Sequence, residues 1–152
     1  MTESLPRPLR ISAGTMLRDS ESSPGTVLIE RCRIADVLNE EHPDADLHFP
    51  DGVLVPGLVD LHAHPAKTGS VFGVDPDETM LARGTTTVLS QGDAGARNIE
   101  QFLNETVLSS KTRVLLALNL SRIGESTDSG CFSRLADADI DACVEAASSH
   151  PD

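Results

Sequence analysis

The sequence predicts an α/β protein in which a small β-rich region leads into three successive strand–helix units with parallel strands. Three observations carry this. Short β-branched and apolar runs, punctuated by Gly, Pro, Ser and Asp, fill residues 9–53. Three further apolar or β-branched runs, starting at Val53, Thr85 and Arg113, recur at intervals of about 30 residues, the length of a βαβ unit. Between them apolar residues fall at helical spacing, and strands alternating with helices indicate a parallel sheet.

Taken in order, residues 1–8 read as a disordered leader of polar residues and proline. Strand-like runs follow at residues 9–13, 26–30 and 33–38, with a polar loop containing Ser20, Ser22, Ser23, Pro24 and Gly25 after the first. Beyond a loop at residues 40–44, Leu47-His48-Phe49 and Val53-Leu54-Val55 flank Pro50-Asp51-Gly52. That triplet signals a turn, because proline presets φ and glycine accepts positive φ. We therefore assign residues 9–53 to part of a small β domain and residues 54–152 to the strand–helix units. His42 and His48, within the former, are not expected to be ligands.

Val53, Leu54, Val55, Leu58, Val59 and Leu61 form a near-continuous apolar run, interrupted by Pro56-Gly57, of the kind a buried parallel strand carries. A loop of small residues follows, Pro65-Ala66-Lys67-Thr68-Gly69-Ser70. Asp75 then offers an N-cap with Pro76 in the first turn, and Gly84 after Arg83 a stop, predicting a helix over 76–83. Thr85 to Gln91 reads as the second strand, leading into a Gly92-Asp93-Ala94-Gly95 loop. Asn98 can cap the next helix, whose Ile99, Phe102, Leu103 and Val107 share one face. Arg113 to Leu120 is the third strand, apolar enough for burial on both faces, and Ile140, Cys143, Val144 and Ala147 mark a third helical face.

The first strand ends in His62-Ala63-His64. Side chains two apart share a strand face, so Asp60, His62 and His64 are expected to point together. Their backbones start roughly 6–7 Å apart, and two imidazoles can converge from there on one cation at Zn–N distances of about 2.0–2.1 Å. Asp60 is a candidate for orienting a histidine through a hydrogen bond, with a purely structural role as an equal alternative. Lys67, Asp93 and Asn119 lie where the strands end. Lys67 is a candidate for substrate contact or general base and the other two for substrate contact, against the plainer readings of a solvated lysine and of loop or cap hydrogen bonding.

The totals exclude several classes. A formal charge of −12, from 24 acidic against 12 basic residues, argues against nucleic-acid or anionic-membrane partners. Four Phe and no Trp or Tyr leave no aromatic platform for sugars or bases. Three cysteines without C-x-x-C spacing indicate reduced thiols, which suits the cytoplasm. No signal-peptide core and no run near the roughly 20 apolar residues of a membrane span is present.

Pro56-Gly57-Leu58-Val59-Asp60-Leu61-His62-Ala63-His64 resembles the strand-one signature of the amidohydrolase superfamily. Ala82-Arg83-Gly84-Thr85-Thr86-Thr87-Val88 is similar to its helix-to-strand passage in dihydroorotase-like and deacetylase-like members. Ala94-Gly95-Ala96-Arg97-Asn98-Ile99 and Leu118-Asn119-Leu120-Ser121 suggest the amidohydrolase/deacetylase branch. The resemblance implies a (β/α)8 TIM-like barrel beside a small β-sandwich, of which this chain carries the N-terminal part, about three βα units. It implies one or two divalent ions, usually zinc, with His62 and His64 as the strand-one ligands. A bridging lysine, two later histidines and a catalytic aspartate are expected beyond Asp152. The implied reaction is hydrolysis of an amide-type C–N bond in a small molecule by metal-activated hydroxide, with the segment alone expected to be inactive.

Four readings follow from it: a deacetylase or aminoacylase, a dihydroorotase-like cyclic amidase, a nucleobase-type deaminase, and a non-catalytic assembly homologue. Dihydroorotase-like members carry Arg two residues past the second histidine, where this chain has Ala66. Assembly homologues lose the ligands that are kept here as His62 and His64. The substrate stays open, and so does homo-oligomerisation.

Overall fold

The computed structural model describes residues 7–128 and 130–150, so the leader expected at residues 1–8 lies, but for Arg7 and Pro8, outside the described residues. The chain divides into two compact units at Pro56/Gly57.

The first unit is a four-stranded sheet of β1 (Leu9–Arg18), β2 (Glu21–Glu30), β3 (Arg33–Leu38) and β4 (Leu47–Leu54), in the order β3-β2-β1-β4. β1 and β2, and β2 and β3, pair antiparallel, whereas β4 lies parallel to β1. Arg31 and Cys32 both take positive φ in the two-residue link from β2 to β3, as the primed hairpin turns require.

Two stretches expected as loops are strand. Ser22, Ser23, Pro24 and Gly25 continue β2, because Pro24 falls where the pairing jumps from Ala13–Gly25 to Met16–Ser23. There a missing N–H breaks no ladder bond. Pro50-Asp51-Gly52 is likewise not a turn between strands. It is a bulge within β4, opposite Gly14, with pairing resuming at Thr15–Val53. A Cβ on Gly14 would run into the Pro50 carbonyl, so only glycine permits this approach. Ser12 and Thr26, both fully buried, satisfy each other, their hydroxyl oxygens 2.9 Å apart, and Ser12 Oγ accepts from the His42 N–H.

The second unit is a three-stranded parallel sheet, β5 (Leu58–Ala63), β6 (Thr85–Gly95) and β7 (Arg113–Asn119), in sequence order. The connections carry α1 (Pro76–Thr79), with a 3-10 turn at Leu81–Arg83, and α2 (Ile99–Phe102), with a π turn at Leu103–Val107; α3 (Ile140–Ser149) follows β7. Asp75 caps α1 by accepting from the Asp77 and Glu78 amides, and Gly84 at φ 91° ends the segment, as its local chemistry predicts. Asn98 stands at the N-cap of α2, but its side chain makes no cap bond there. Its Oδ1 accepts from Gly95 N and its Nδ2 donates to Ile123 O, tying two loops together instead.

Val88 on the central strand anchors the core with Ala66, Ala94, Phe102 and Val114. β5 and β7 are the sheet's edges and are less covered than expected: Leu58, Val59 and Leu61 are more than half exposed, and Leu115 is exposed. Only one neighbour shields each edge strand. On α3, Cys143 is buried, while Ile140 and Val144 are exposed. No helix among the described residues is long and apolar enough to cross a membrane.

Candidate metal centre

Because β5, β6 and β7 run parallel, their C-terminal ends share one edge of the sheet; His62, His64, Asp93 and Asn119 lie there, whereas the Lys67 side chain is drawn away to the connection entering β7. β5 does not keep the strict alternation expected of it. Its pairing jumps from Asp60–Val88 to Ala63–Ser90, leaving Leu61 and His62 opposite the single residue Leu89. Within this bulge the Asp60 carboxylate accepts from the His62 backbone N–H at 3.0 Å, so Asp60 steadies the main chain of a histidine rather than its ring. The His62 and His64 rings lie edge to face, their centroids 6.4 Å apart. Phe72, from the following loop, lies against His64 at 5.6 Å between centroids.

Asp93 supplies the feature that sequence reading placed differently. It lies within β6 rather than in a loop after it. Between the pairs Gln91–Ala117 and Gly95–Asn119, three residues of β6 oppose one of β7, and Gly92 takes φ 84°. This bulge turns the Asp93 side chain back toward β5. Asp93 is 1% exposed, and its Oδ1 lies 3.0 Å from His64 Nδ1. Its Oδ2 accepts from the Ser90 hydroxyl at 2.6 Å, and Ser90 is itself fully buried. A carboxylate accepts, so this contact calls for the donor proton on His64 Nδ1, which would leave Nε2 for another partner. Ser90 was missed from the sequence; the signal available was its position three residues before Asp93, with glycine between.

The remaining candidates are held by the fold. Lys67 donates through Nζ to Ser109 O at 3.1 Å and stands 3.8 Å from Asp75 and 3.9 Å from Asp77. It ties the loop after β5 to the connection entering β7. Asp77 accepts from the Lys111 and Thr112 amides and the Thr112 hydroxyl. Burial works to raise its pKa, but these donors and the nearby Lys67 charge outweigh it and hold the carboxyl below its ordinary range. Asn119 donates from Nδ2 to Gly92 O at 3.1 Å and accepts at Oδ1 from Ser121 N at 2.9 Å, so both ends of its amide are occupied by backbone.

The loops after the three strands are laced together. Val71 N–H donates to Glu125 O, Arg97 N–H to Arg122 O, and Asn98 Nδ2 to Ile123 O. Asp137, 1% exposed, anchors the far end of the third loop through Arg134, with Arg122 beside it.

Two histidines fit part of a zinc donor set, His64 with its far nitrogen already held by a carboxylate. Among the described residues no group of three or more His, Cys, Asp or Glu side chains gathers as a complete metal cage.

No family model matches the chain. A deacetylase of Agrobacterium fabrum is 38% identical over 108 residues, covering 69% of this chain and 26% of that protein. A deacetylase of Brucella anthropi is 37% identical over 83 residues, 53% of this chain and 21% of that protein. The crystal structure of a dihydroorotase superposes with a TM-score of 0.80 at 26% identity, covering 95% of this chain and 40% of that one. The proteins this chain resembles are of the amidohydrolase kind that the strand-one resemblance implies. The chain spans between a fifth and about a quarter of the length of the two curated deacetylases. The stretch that resembles the superfamily's strand-one motif carries His62 and His64 to the sheet's C-terminal edge.

Proposed function

We propose that this chain contributes strand-one metal ligands, His62 and His64, to a metal-dependent hydrolase that cleaves an amide-type C–N bond in a small N-acyl substrate. The observation that carries the reading is His64 held through Nδ1 by the buried Asp93 beside a second histidine two residues away. Similarity to named deacetylases supports the N-acyl substrate class. In this reading the three parallel strands are the opening of a (β/α)8 barrel, whose loops at the strands' C-terminal ends form the reaction site. The other ligands of a complete site are not among the described residues.

A divalent cation, zinc in the first instance, would supply Lewis acidity to the substrate carbonyl and lower the pKa of a bound water. This chain's residues do the positioning. Asp60 fixes the backbone at His62, Asp93 fixes the His64 ring, and Phe72 shields one flank of that ring. Three free cysteines fit a cytoplasmic setting.

The dihydroorotase-like reading draws support from the superposition on a dihydroorotase. Against it, Ala66 is 2% exposed with Gly73 packed on it, leaving no room for an arginine.

The test is elemental analysis of the protein at its natural length, followed by a screen of N-acyl amino acids, cyclic ureides and aminopurines. Bound zinc with release of a free acyl carboxylate is expected. Absence of any bound divalent metal after zinc loading overturns the reading, and ammonia release from aminopurines moves it to a deaminase.

A further inference from the structure

We infer that Asp93, braced by Ser90, is a positioning residue that locks His64 as the Nδ1–H tautomer and so presents Nε2 to a metal ion. The inference rests on the proposed metal site and adds to it a residue that acts through His64. Three facts meet here. Asp93 is buried beneath the sheet edge with one carboxylate oxygen on His64 Nδ1 at 3.0 Å. The other oxygen is occupied by Ser90 Oγ at 2.6 Å, and Ser90 Oγ also lies 3.3 Å from the Asp93 N–H, so the carboxylate cannot swing away without losing both contacts. The β6 bulge at Gly92 exists at this point of the strand and brings a residue 29 positions distant under the imidazole.

A structural reading would have the pair merely pinning β5 to β6. The ladder already does that: Ala63 pairs with Ser90, and Gln91 Nε2 donates to Leu61 O at 2.9 Å. What the Asp93 contact adds is a choice between the two ring nitrogens. A neutral imidazole has one donor and one acceptor nitrogen, and occupying Nδ1–H leaves Nε2 as the acceptor. Carboxylate partners of this kind also raise the basicity of the ligating nitrogen, and their removal typically lowers metal affinity about 10–100-fold.

The experiment uses the protein at its natural length, with Zn2+ and Co2+ as probes. D93N, D93E and S90A are compared with wild type by competitive zinc titration, by the visible spectrum of the cobalt form, and by 15N shifts of the metal-free histidines. Wild type should show His64 as the Nδ1–H tautomer. D93N should weaken zinc binding about 10–100-fold, alter the cobalt spectrum and mix the tautomers, with S90A between it and wild type. D93E should recover part of the affinity, which a packing role would not predict. Circular dichroism separates misfolding from a local effect, and S90A carries the test if D93N fails to fold. Wild-type zinc binding that both D93N and S90A leave unchanged, with the same tautomer, overturns the inference while the metal site stands. Failure of wild type to bind either cation overturns the metal site, and this inference with it.

Discussion

Removing the Asp77 carboxylate tests whether the connections of the second unit are held as described. One oxygen accepts from Thr112 N and Thr112 Oγ1, both at 2.8 Å, and the pair of oxygens receives Lys111 N at 2.9 and 3.0 Å. Thr112 is 2% exposed, so Asp77→Ala strands a buried N–H and a hydroxyl, each costing about 1–3 kcal/mol. Lys111 is exposed and regains water, and the Lys67 ion pair adds little at a partly solvated site. These effects overlap, so a loss of about 2–4 kcal/mol is expected for Asp77→Ala and about half that for Asp77→Asn, which keeps one acceptor.

The sign with pH follows from the lowered folded pKa. The stabilisation is present in full above the unfolded value of about 3.9 and is lost as the pH falls through the folded one. Urea unfolding across pH 7 to 3, together with amide exchange at Lys111 and Thr112, measures both parts. Unchanged exchange at those amides in Asp77→Ala, or a difference from wild type that grows toward pH 3, would refute the assignment.

Four other outcomes are expected. Gly14→Ala should destabilise the first unit by about 1–3 kcal/mol, because its Cβ meets the Pro50 carbonyl; urea midpoints check this. His62→Ala and His64→Ala should each abolish stoichiometric zinc in elemental analysis, with circular dichroism unchanged. Acidification should loosen the segment between Arg122 and Asp137. The Arg134 hydrogen bonds, with the charges of Arg134 and Arg122, hold the Asp137 carboxyl below its ordinary range, so protonation there releases it, read as faster proteolysis of that loop below the usual carboxylate pKa of about 3.9. Asn119→Ala should expose the Gly92 carbonyl and the Ser121 amide and speed exchange at Ser121.

What could be read from the sequence was local chemistry. Asp75, Pro76 and Gly84 bracket one helical segment within ten residues, and each acts on its own neighbours. The His62-Ala63-His64 ending of an apolar run was equally visible. The misread stretches depend on distant partners. Pro50-Asp51-Gly52 looks like a turn until β1 places Gly14 against it, 36 residues earlier. Gly92-Asp93-Ala94 reads as a loop until β7 extends the pairing to Asn119. Asn98 has the side chain of a cap, but the competing acceptor at Ile123 is 25 residues away. Burial of β5 was overestimated because an apolar run reports what a strand can bury, and the order β5-β6-β7 gives it one neighbour.

The lacing of the loops after β5, β6 and β7 bears on how such a rim changes during evolution or redesign. Val71, Arg97 and Asn98 all spend a hydrogen-bond donor on carbonyls of a single stretch, residues 122–125. That stretch behaves as a shared template. A graft that replaces any one loop from a relative leaves a mismatched seam at the other two, so transplanting substrate preference between homologues should succeed with all three exchanged as a cassette and fail piecemeal.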